Sequence, residues 1–156
     1  MPEKTENILI LGVGNPLYTD DGLGNKIIEI INERYRFPET VRLIDSGSIT
    51  DLIDFIFDYR YIIVIDTIIA GKKSGEIMSF SLNEMSAPSN SLTHSTGLIE
   101  GLQKMKERPD IFFICIEPCD LSPGTALSDK VSEKISDIIN MIIDRLNLHG
   151  LKMQRK

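Results

Sequence analysis

Three almost wholly apolar runs constrain the fold of this 156-residue chain. Residues 8–11, 61–66 and 111–116 have the length of strands, and a strand that is apolar at nearly every position is covered on both faces. After the first and the third run, apolar residues recur at helical spacing, from Leu23 to a stop at Pro38 and again from about Ser128 onward. This alternation predicts an α/β protein, a three-layer α-β-α sandwich with a mixed, mostly parallel sheet of about five strands.

The remaining segments complete the predicted sheet. Residues 41–45 indicate a second strand, and Thr50 or Asp51 is suited to cap a short helix that reaches Phe57. Residues 76–82 alternate between apolar and polar side chains after a glycine turn, which favours an antiparallel strand at an edge. A helix over about residues 96–106 precedes the third apolar run. A chain of this length is expected to form one domain over residues 1–156, with an ordered core at about 7–148.

The composition excludes several classes of function. A formal net charge of −6 argues against a nucleic-acid partner, which would require clustered Lys and Arg. No apolar run reaches the ~18 residues of a membrane span, and residues 1–7 do not form a signal peptide, so we expect a cytoplasmic protein without a membrane partner. Cys115 and Cys119 are the only cysteines in the sequence. Their spacing is a weak metal motif, and we expect no disulfide and no catalytic role for either.

Two glycine turns each suggest a function that the surrounding sequence argues against. Gly12 and Gly14 after the first strand, with Asp45 at the end of the second, resemble a dinucleotide-binding turn. However, Leu17 occupies the third glycine position, and the pair of aspartates that follows would repel a pyrophosphate. Residues 45–48 (DSGS) match the loop of aspartic proteases, but those enzymes are all-β and combine two such loops.

Three residues are candidates for a metal site with open coordination positions. Asp21 follows the first strand, Asp66 ends the 61–66 strand, and His94 lies in a loop before a helix. Neighbouring parallel strands would bring the two acids together, and two carboxylates with one imidazole suit a divalent ion such as nickel or zinc. Each residue also has a purely structural alternative: an N-cap for Asp21 or Asp20, a partner of loop amides for Asp66 and a polar turn residue for His94.

Five sequence blocks follow one another along the chain, and their order indicates a protein family more specifically than any single block does. They are GVGNPL with DDGLG (residues 12–17 and 20–24), DSG (45–47), IIVIDT (62–67), HSTGL (94–98) and IEP (116–118), the last followed by Leu121, Gly124 and residues 127–128. Together they resemble the hydrogenase maturation endopeptidases, which trim the large subunit of nickel–iron hydrogenases. The resemblance covers roughly residues 8–146.

The resemblance implies a similar α/β fold and assigns metal contact to Asp21, Asp66 and His94, with the two aspartates as catalytic acids. Many relatives carry Glu where this chain has Asp21, whose side chain is one methylene shorter. We further expect several residues near these blocks to support the site or bind substrate: Asn15, Asp20, Asp45, Gly47 and Glu117.

The implied reaction is hydrolysis of one peptide bond near the C-terminus of the nickel-loaded large-subunit precursor, which is the expected partner. Nickel is then carried by the substrate, with zinc or another divalent ion as a surrogate, and no organic cofactor is needed. Either the metal polarises the scissile carbonyl or activates a water, or an aspartate acts as general base. The alternative from another class is a noncatalytic nickel-delivery protein or a metal- or nucleotide-binding α/β module.

Overall fold

The computed structural model describes residues 7–84 and 96–156. The strands are β1 (Ile8–Val13), β2 (Tyr35–Arg36), β3 (Val41–Ser46), β4 (Tyr61–Thr67), β5 (Ile77–Ser81), β6 (Asp110–Ile116) and β7 (Gln154–Arg155). The α-helices are α1 (Leu23–Arg34), α2 (Leu52–Phe55), α3 (Thr96–Lys104), α4 (Asp129–Ser132) and α5 (Ile135–Leu148). Short 3₁₀ turns are formed by Thr19–Gly22, Ile49–Asp51, Ile56–Asp58 and Leu82–Glu84.

Five strands form one mixed sheet in the order β3-β1-β4-β6-β5. Neighbouring strands from β3 to β6 are parallel, whereas β5 pairs antiparallel with β6 at the edge. The two remaining strands, β2 and β7, form a separate antiparallel pair. These observations confirm the predicted mixed, mostly parallel sheet and its antiparallel edge strand.

Alternate residues of the central strands pack into two apolar layers, one on each face of the sheet. Ile8 and Ile10 of β1 lie in a cluster with residues of α1 and α5, whereas Leu9 and Leu11 lie in a second cluster with residues of α2 and α3. Burial on both faces accounts for the nearly continuous apolar character of β1, β4 and β6. The structure therefore confirms the three-layer sandwich.

Two predicted helices differ in detail from those observed. The last helix is split into α4 and α5, because the Lys134 amide bonds the Val131 carbonyl three residues back while the Lys130 carbonyl packs against Gly75. The segment after β3 is one turn of α-helix between two 3₁₀ turns. Its N-cap residue is Asp51 and not Thr50, and Asp51 makes no side-chain capping bond. Its carboxylate instead accepts a hydrogen bond from the hydroxyl of Ser46. No helix within residues 7–84 and 96–156 combines the length and apolar character needed to span a membrane.

Candidate active site

The candidate site lies where β1 and β4 end side by side at the carboxyl edge of the sheet. In open α/β sheets, ligands bind in the crevice outside this edge. After β1 the chain turns sharply at Gly14, which has φ +148°, and a Cβ atom there would lie only 1.8 Å from the Asp21 carbonyl oxygen. The turn needs glycine because the 3₁₀ turn Thr19–Gly22 folds back onto the end of the strand. This close return brings two adjacent aspartates to the edge.

The half-buried carboxylate of Asp21 is held at both oxygens. Its Oδ2 accepts a hydrogen bond from the Asn15 amide at 3.0 Å, and its Oδ1 accepts one from the Thr67 hydroxyl at 3.0 Å. The first bond comes from the turn after β1 and the second from the last residue of β4. The orientation of Asp21 is therefore fixed by both strands of the crevice.

Asp66 is a buried acid at the end of β4, and its Oδ1 accepts a hydrogen bond from the Thr67 amide at 2.7 Å. Burial raises the pKa of Asp66 to about 8; the Thr67 bond opposes this shift and the charge of Asp21 adds to it. Through its amide and its hydroxyl, Thr67 contacts both acids.

Asp20 points away from this pair, into the protein. It is fully buried and accepts four hydrogen bonds from the segment after β6, at 2.8–2.9 Å: from the amides of Cys119, Asp120 and Ser128 and from the Ser128 hydroxyl. The N-cap of α1 is Gly22, and it has no side-chain capping bond. The alternative that Asp20 or Asp21 caps α1 is therefore wrong.

The other predicted supporting residues lie at different distances from the two acids. Asn15 belongs to the turn that holds Asp21, and the buried Glu117 accepts a 2.8 Å bond from the Ala70 amide, which follows β4. Asp45 is exposed at the end of β3 and accepts a hydrogen bond from Asn25. Because β1 lies between β3 and β4, Asp45 is about 10 Å from the β4 backbone. Gly47 is exposed, with open space where a side chain would be.

The structure brings together two of the three predicted metal ligands, Asp21 and Asp66. His94 lies outside the described residues, and within residues 7–84 and 96–156 no group of three or more His, Cys, Asp or Glu side chains is arranged to hold a metal ion. Both cysteines are free. Cys115 is part of the apolar core, as predicted, and burial raises the pKa of its thiol well above its ordinary value.

Thr67 is the residue whose contribution the sequence prediction missed. A hydroxyl side chain directly after an acid at a strand end was the available signal. The partner of that hydroxyl, Asp21, is 46 positions away and could be identified only once β1 and β4 were known to be neighbours.

The fold and the site define an α/β protein with two carboxyl groups, both bonded to one threonine, at the carboxyl edge of a mostly parallel sheet. A family model described as hydrogenase maturation protease (HycI) matches residues 25–145. The match covers well over half of the chain, so the chain belongs to the hydrogenase maturation protease family.

Curated relatives agree with this assignment. The chain is 28% identical to the hydrogenase 2 maturation protease of Escherichia coli over 153 residues, covering 93% of each chain. It is 28% identical over 159 residues to the coenzyme F420 hydrogenase subunit delta of Methanothermobacter thermautotrophicus, covering 95% of this chain and 99% of that protein. Identity to the hydrogenase expression/formation protein HupM of Azotobacter chroococcum is higher, at 54%, but over 48 residues that span 23% of that relative.

Solved structures show the same fold. The hydrogenase maturating endopeptidase HybD from E. coli superposes with a TM-score of 0.80 at 23% identity, covering 96% of this chain and 98% of that one. The [NiFe] hydrogenase maturation protease HybD from Thermococcus kodakarensis has a TM-score of 0.67 at 28% identity, with coverage of 87% and 96%. The aspartic-protease alternative is therefore wrong, because Asp45 and Ser46 are the last two residues of a strand in a mostly parallel α/β sheet and not part of an all-β fold.

Proposed function

We propose that this protein is an endopeptidase that removes the C-terminal peptide from the nickel-loaded precursor of a nickel–iron hydrogenase large subunit. Membership of the hydrogenase maturation protease family supports a peptidase role. The observation that carries the proposal is the pair formed by Asp21 and Asp66, both bonded to Thr67 at the carboxyl edge of the sheet. The cytoplasmic location expected from the sequence is part of the same proposal.

Nickel is part of the substrate in this proposal, and Asp21, Asp66 and His94 are the residues proposed to bind it. Two neighbouring carboxyl groups, one of them buried, are a natural place for a divalent cation, because the cation favours the charged form of a carboxyl group. Across residues 7–84 and 96–156, no salt bridge joins either aspartate to a lysine or arginine. The pair is thus available to a cation carried by the precursor, and the charge of that cation favours loss of the Asp66 proton.

The carboxylate-assisted route gives Asp66 the role of proton acceptor. A buried carboxyl group whose pKa lies near 8 exchanges its proton close to neutral pH, which is the property required of a general base or acid. A water oxygen bonds to the scissile carbonyl carbon, its proton passes to the Asp66 carboxylate, and the C–N bond then breaks as the leaving amine takes up a proton. Asp21, held by two hydrogen bonds, keeps the substrate metal in position.

The test is intact-mass analysis of a large-subunit precursor before and after incubation with this protein. Precursor loaded with nickel, loaded with zinc and free of metal is compared. Loss of a short C-terminal peptide with nickel alone supports proteolysis with nickel recognition. Cleavage with all three forms would refute the sensing role, and cleavage with both metals would favour the metal-assisted route. Binding without any change in mass would refute the protease and favour the noncatalytic nickel-delivery protein.

Variants connect the activity to the site. Asp21→Asn and Asp66→Asn are expected to lower the cleavage rate at least a hundredfold, as loss of a group that transfers a proton or positions the metal does. Asp144→Asn is the matched control, because Asp144 is an exposed aspartate on α5 that belongs to neither loop of the site. Equal rates for all three variants would show that the acid pair is not the catalytic site.

A further inference from the structure

Four large apolar side chains remain exposed on the loops that carry the candidate site: Leu17, Tyr18, Ile69 and Leu121, hereafter the apolar rim. Their exposed fractions range from 38% to 62%. Leu17 and Tyr18 lie between the Gly14 turn and Asp21, Ile69 lies three residues after Asp66, and Leu121 lies in the loop after β6. All three loops leave the carboxyl edge of the sheet. Exposed apolar groups concentrated in one region indicate an interaction surface more often than scattered ones do.

Backbone hydrogen bonds hold the apolar rim in place. The amide of Gly124 bonds the Leu17 carbonyl at 2.9 Å, and the Thr19 amide bonds the Gly124 carbonyl at 2.8 Å, so the loops after β1 and β6 are joined. Thr19, which donates the second of these bonds, has φ +46°, a left-handed conformation that is unfavourable for a residue with a side chain. Its hydroxyl donates to the Ser122 carbonyl at 2.6 Å, which ties the strained residue to the second loop.

The loop that carries Ile69 is tied to the same structure. The amide of Ile68 bonds the Ile116 carbonyl at 3.0 Å, and the amide of Ala70 bonds the Glu117 carboxylate at 2.8 Å. The residues on either side of Ile69 are therefore fixed to the end of β6. Apolar side chains presented on a rigid frame lose little conformational freedom when a partner covers them, which favours binding.

We propose that the apolar rim binds an apolar peptide segment of the precursor next to the bond that is cut. This inference rests on the proposed function and adds the chemistry of the substrate segment. The position argues for a substrate segment, since every rim residue lies within four residues of Asp21 or Asp66 or on the loop that Asp20 holds. Four side chains are too few for a second copy of the chain, because a stable dimer buries about 800 Å² on each partner. The neighbouring acid pair would repel the anionic headgroups of a membrane.

The chain provides matched controls for this proposal. Phe57 and Leu148 are even more exposed, at 72% and 75%, but lie after α2 and at the end of α5, away from the site loops. Leu17→Ser, Ile69→Ser, Leu121→Ser and the double variant Leu17→Ser/Leu121→Ser are compared with Phe57→Ser and Leu148→Ser. The readouts are KM and kcat for nickel-loaded precursor, and the affinity for that precursor by biolayer interferometry.

The double variant is expected to raise KM and weaken binding about tenfold or more, with kcat within about twofold of the unmodified protein, whereas both controls are unchanged. Equal KM values for rim and control variants would overturn the proposal even if cleavage is normal. Absence of cleavage by the unmodified protein would refute the proposed function instead, and the affinity measurement would still test the rim. Sedimentation as a dimer that the rim variants dissociate, or rim-dependent binding to anionic vesicles, would also overturn the proposal.

Discussion

Replacing the buried carboxylate of Asp20 by an amide is expected to destabilise the protein strongly. In Asp20 the Oδ2 atom accepts three hydrogen bonds and Oδ1 accepts one, all from residues 119–128. Asparagine has one oxygen, so the most favourable orientation of Asp20→Asn keeps three of the four bonds. Its NH₂ group then faces the amide of Ser128, and two donors are left opposed.

The structure sets the expected magnitude. A hydrogen bond to a charged acceptor contributes about 1 kcal/mol more than one to a neutral acceptor, and a buried unsatisfied amide costs about 1–3 kcal/mol. Three weakened bonds and one lost bond would together lower the free energy of unfolding by about 5 kcal/mol. The neutral amide avoids the cost of burying a charge, which offsets part of this loss. We expect Asp20→Asn to lower the free energy of unfolding by about 3 kcal/mol, which for a chain of this size lowers Tm by roughly 6–12 °C.

Urea unfolding followed by circular dichroism measures this difference, with Asp144→Asn as the control. Asp144 is exposed on α5, and its substitution is expected to change the free energy of unfolding by about 0.5 kcal/mol or less. If Asp20→Asn were no more destabilising than Asp144→Asn, the four bonds would not hold the loop, and the rigid frame inferred for the apolar rim would lose its main support.

Three further predictions follow from single contacts. Thr67→Val removes the hydroxyl that orients Asp21 and is expected to lower kcat/KM for nickel-loaded precursor at least tenfold. Thr67→Ser keeps the hydroxyl and is expected to retain most of the kcat/KM of the unmodified protein. Asp66 binds a proton in the folded protein between its ordinary pKa of 3.8 and its folded pKa of about 8, so its contribution to stability is lost as pH rises through this window. The amide of Asp66→Asn does not titrate, so this variant does not lose that contribution. Its free energy of unfolding minus that of the unmodified protein should therefore rise by up to about 4 kcal/mol between about pH 5 and pH 8. Gly12→Ala would place a Cβ atom 2.3 Å from the Gly24 carbonyl oxygen and is expected to cost about 2 kcal/mol or more, measured by urea unfolding.

Each of these expectations has an outcome that contradicts it. Equal activities for Thr67→Val and Thr67→Ser would show that the hydroxyl does not position Asp21. If the difference in free energy of unfolding between Asp66→Asn and the unmodified protein did not change with pH, Asp66 would already be ionised at neutral pH. Gly101→Ala is the control for Gly12→Ala, because Gly101 is exposed on α3 with open space around it, and alanine there should not destabilise.

The sheet was predictable because burial on both faces leaves a clear mark on a sequence. The polar residues of β4 are the last two, Asp66 and Thr67, and that of β6 is the first, Asp110, so the otherwise continuous apolar pattern predicted strands buried on both faces. The antiparallel edge strand β5 followed from its alternating pattern and the glycine turn before it. The adjacency of Asp21 and Asp66 then followed from topology, since parallel neighbours end at the same edge.

The side-chain orientations of Asp20 and Asp21 could not be predicted in the same way. A helix start immediately after Asp20 and Asp21 predicts an N-cap, but residues 19–22 form a 3₁₀ turn in which the two side chains diverge. Which of them points inward depends on partners 99–108 positions away, in the loop after β6. The left-handed conformation of Thr19 is likewise imposed by that loop. Such long-range contacts leave no periodic signal in a single sequence.

The turn after β1 explains why a glycine pattern typical of dinucleotide binding occurs in a hydrogenase maturation protease. A phosphate-binding turn presents free backbone amides to the ligand. Here the Gly14 amide donates to the Ser46 carbonyl and the Asn15 amide donates to the Asp21 carboxylate, so neither is free for a phosphate. Gly12 and Gly14 are required by close packing against Gly24 and Asp21. The same backbone geometry that elsewhere binds an anion here holds a carboxylate of the chain itself, and the edge of the sheet becomes suited to a cation.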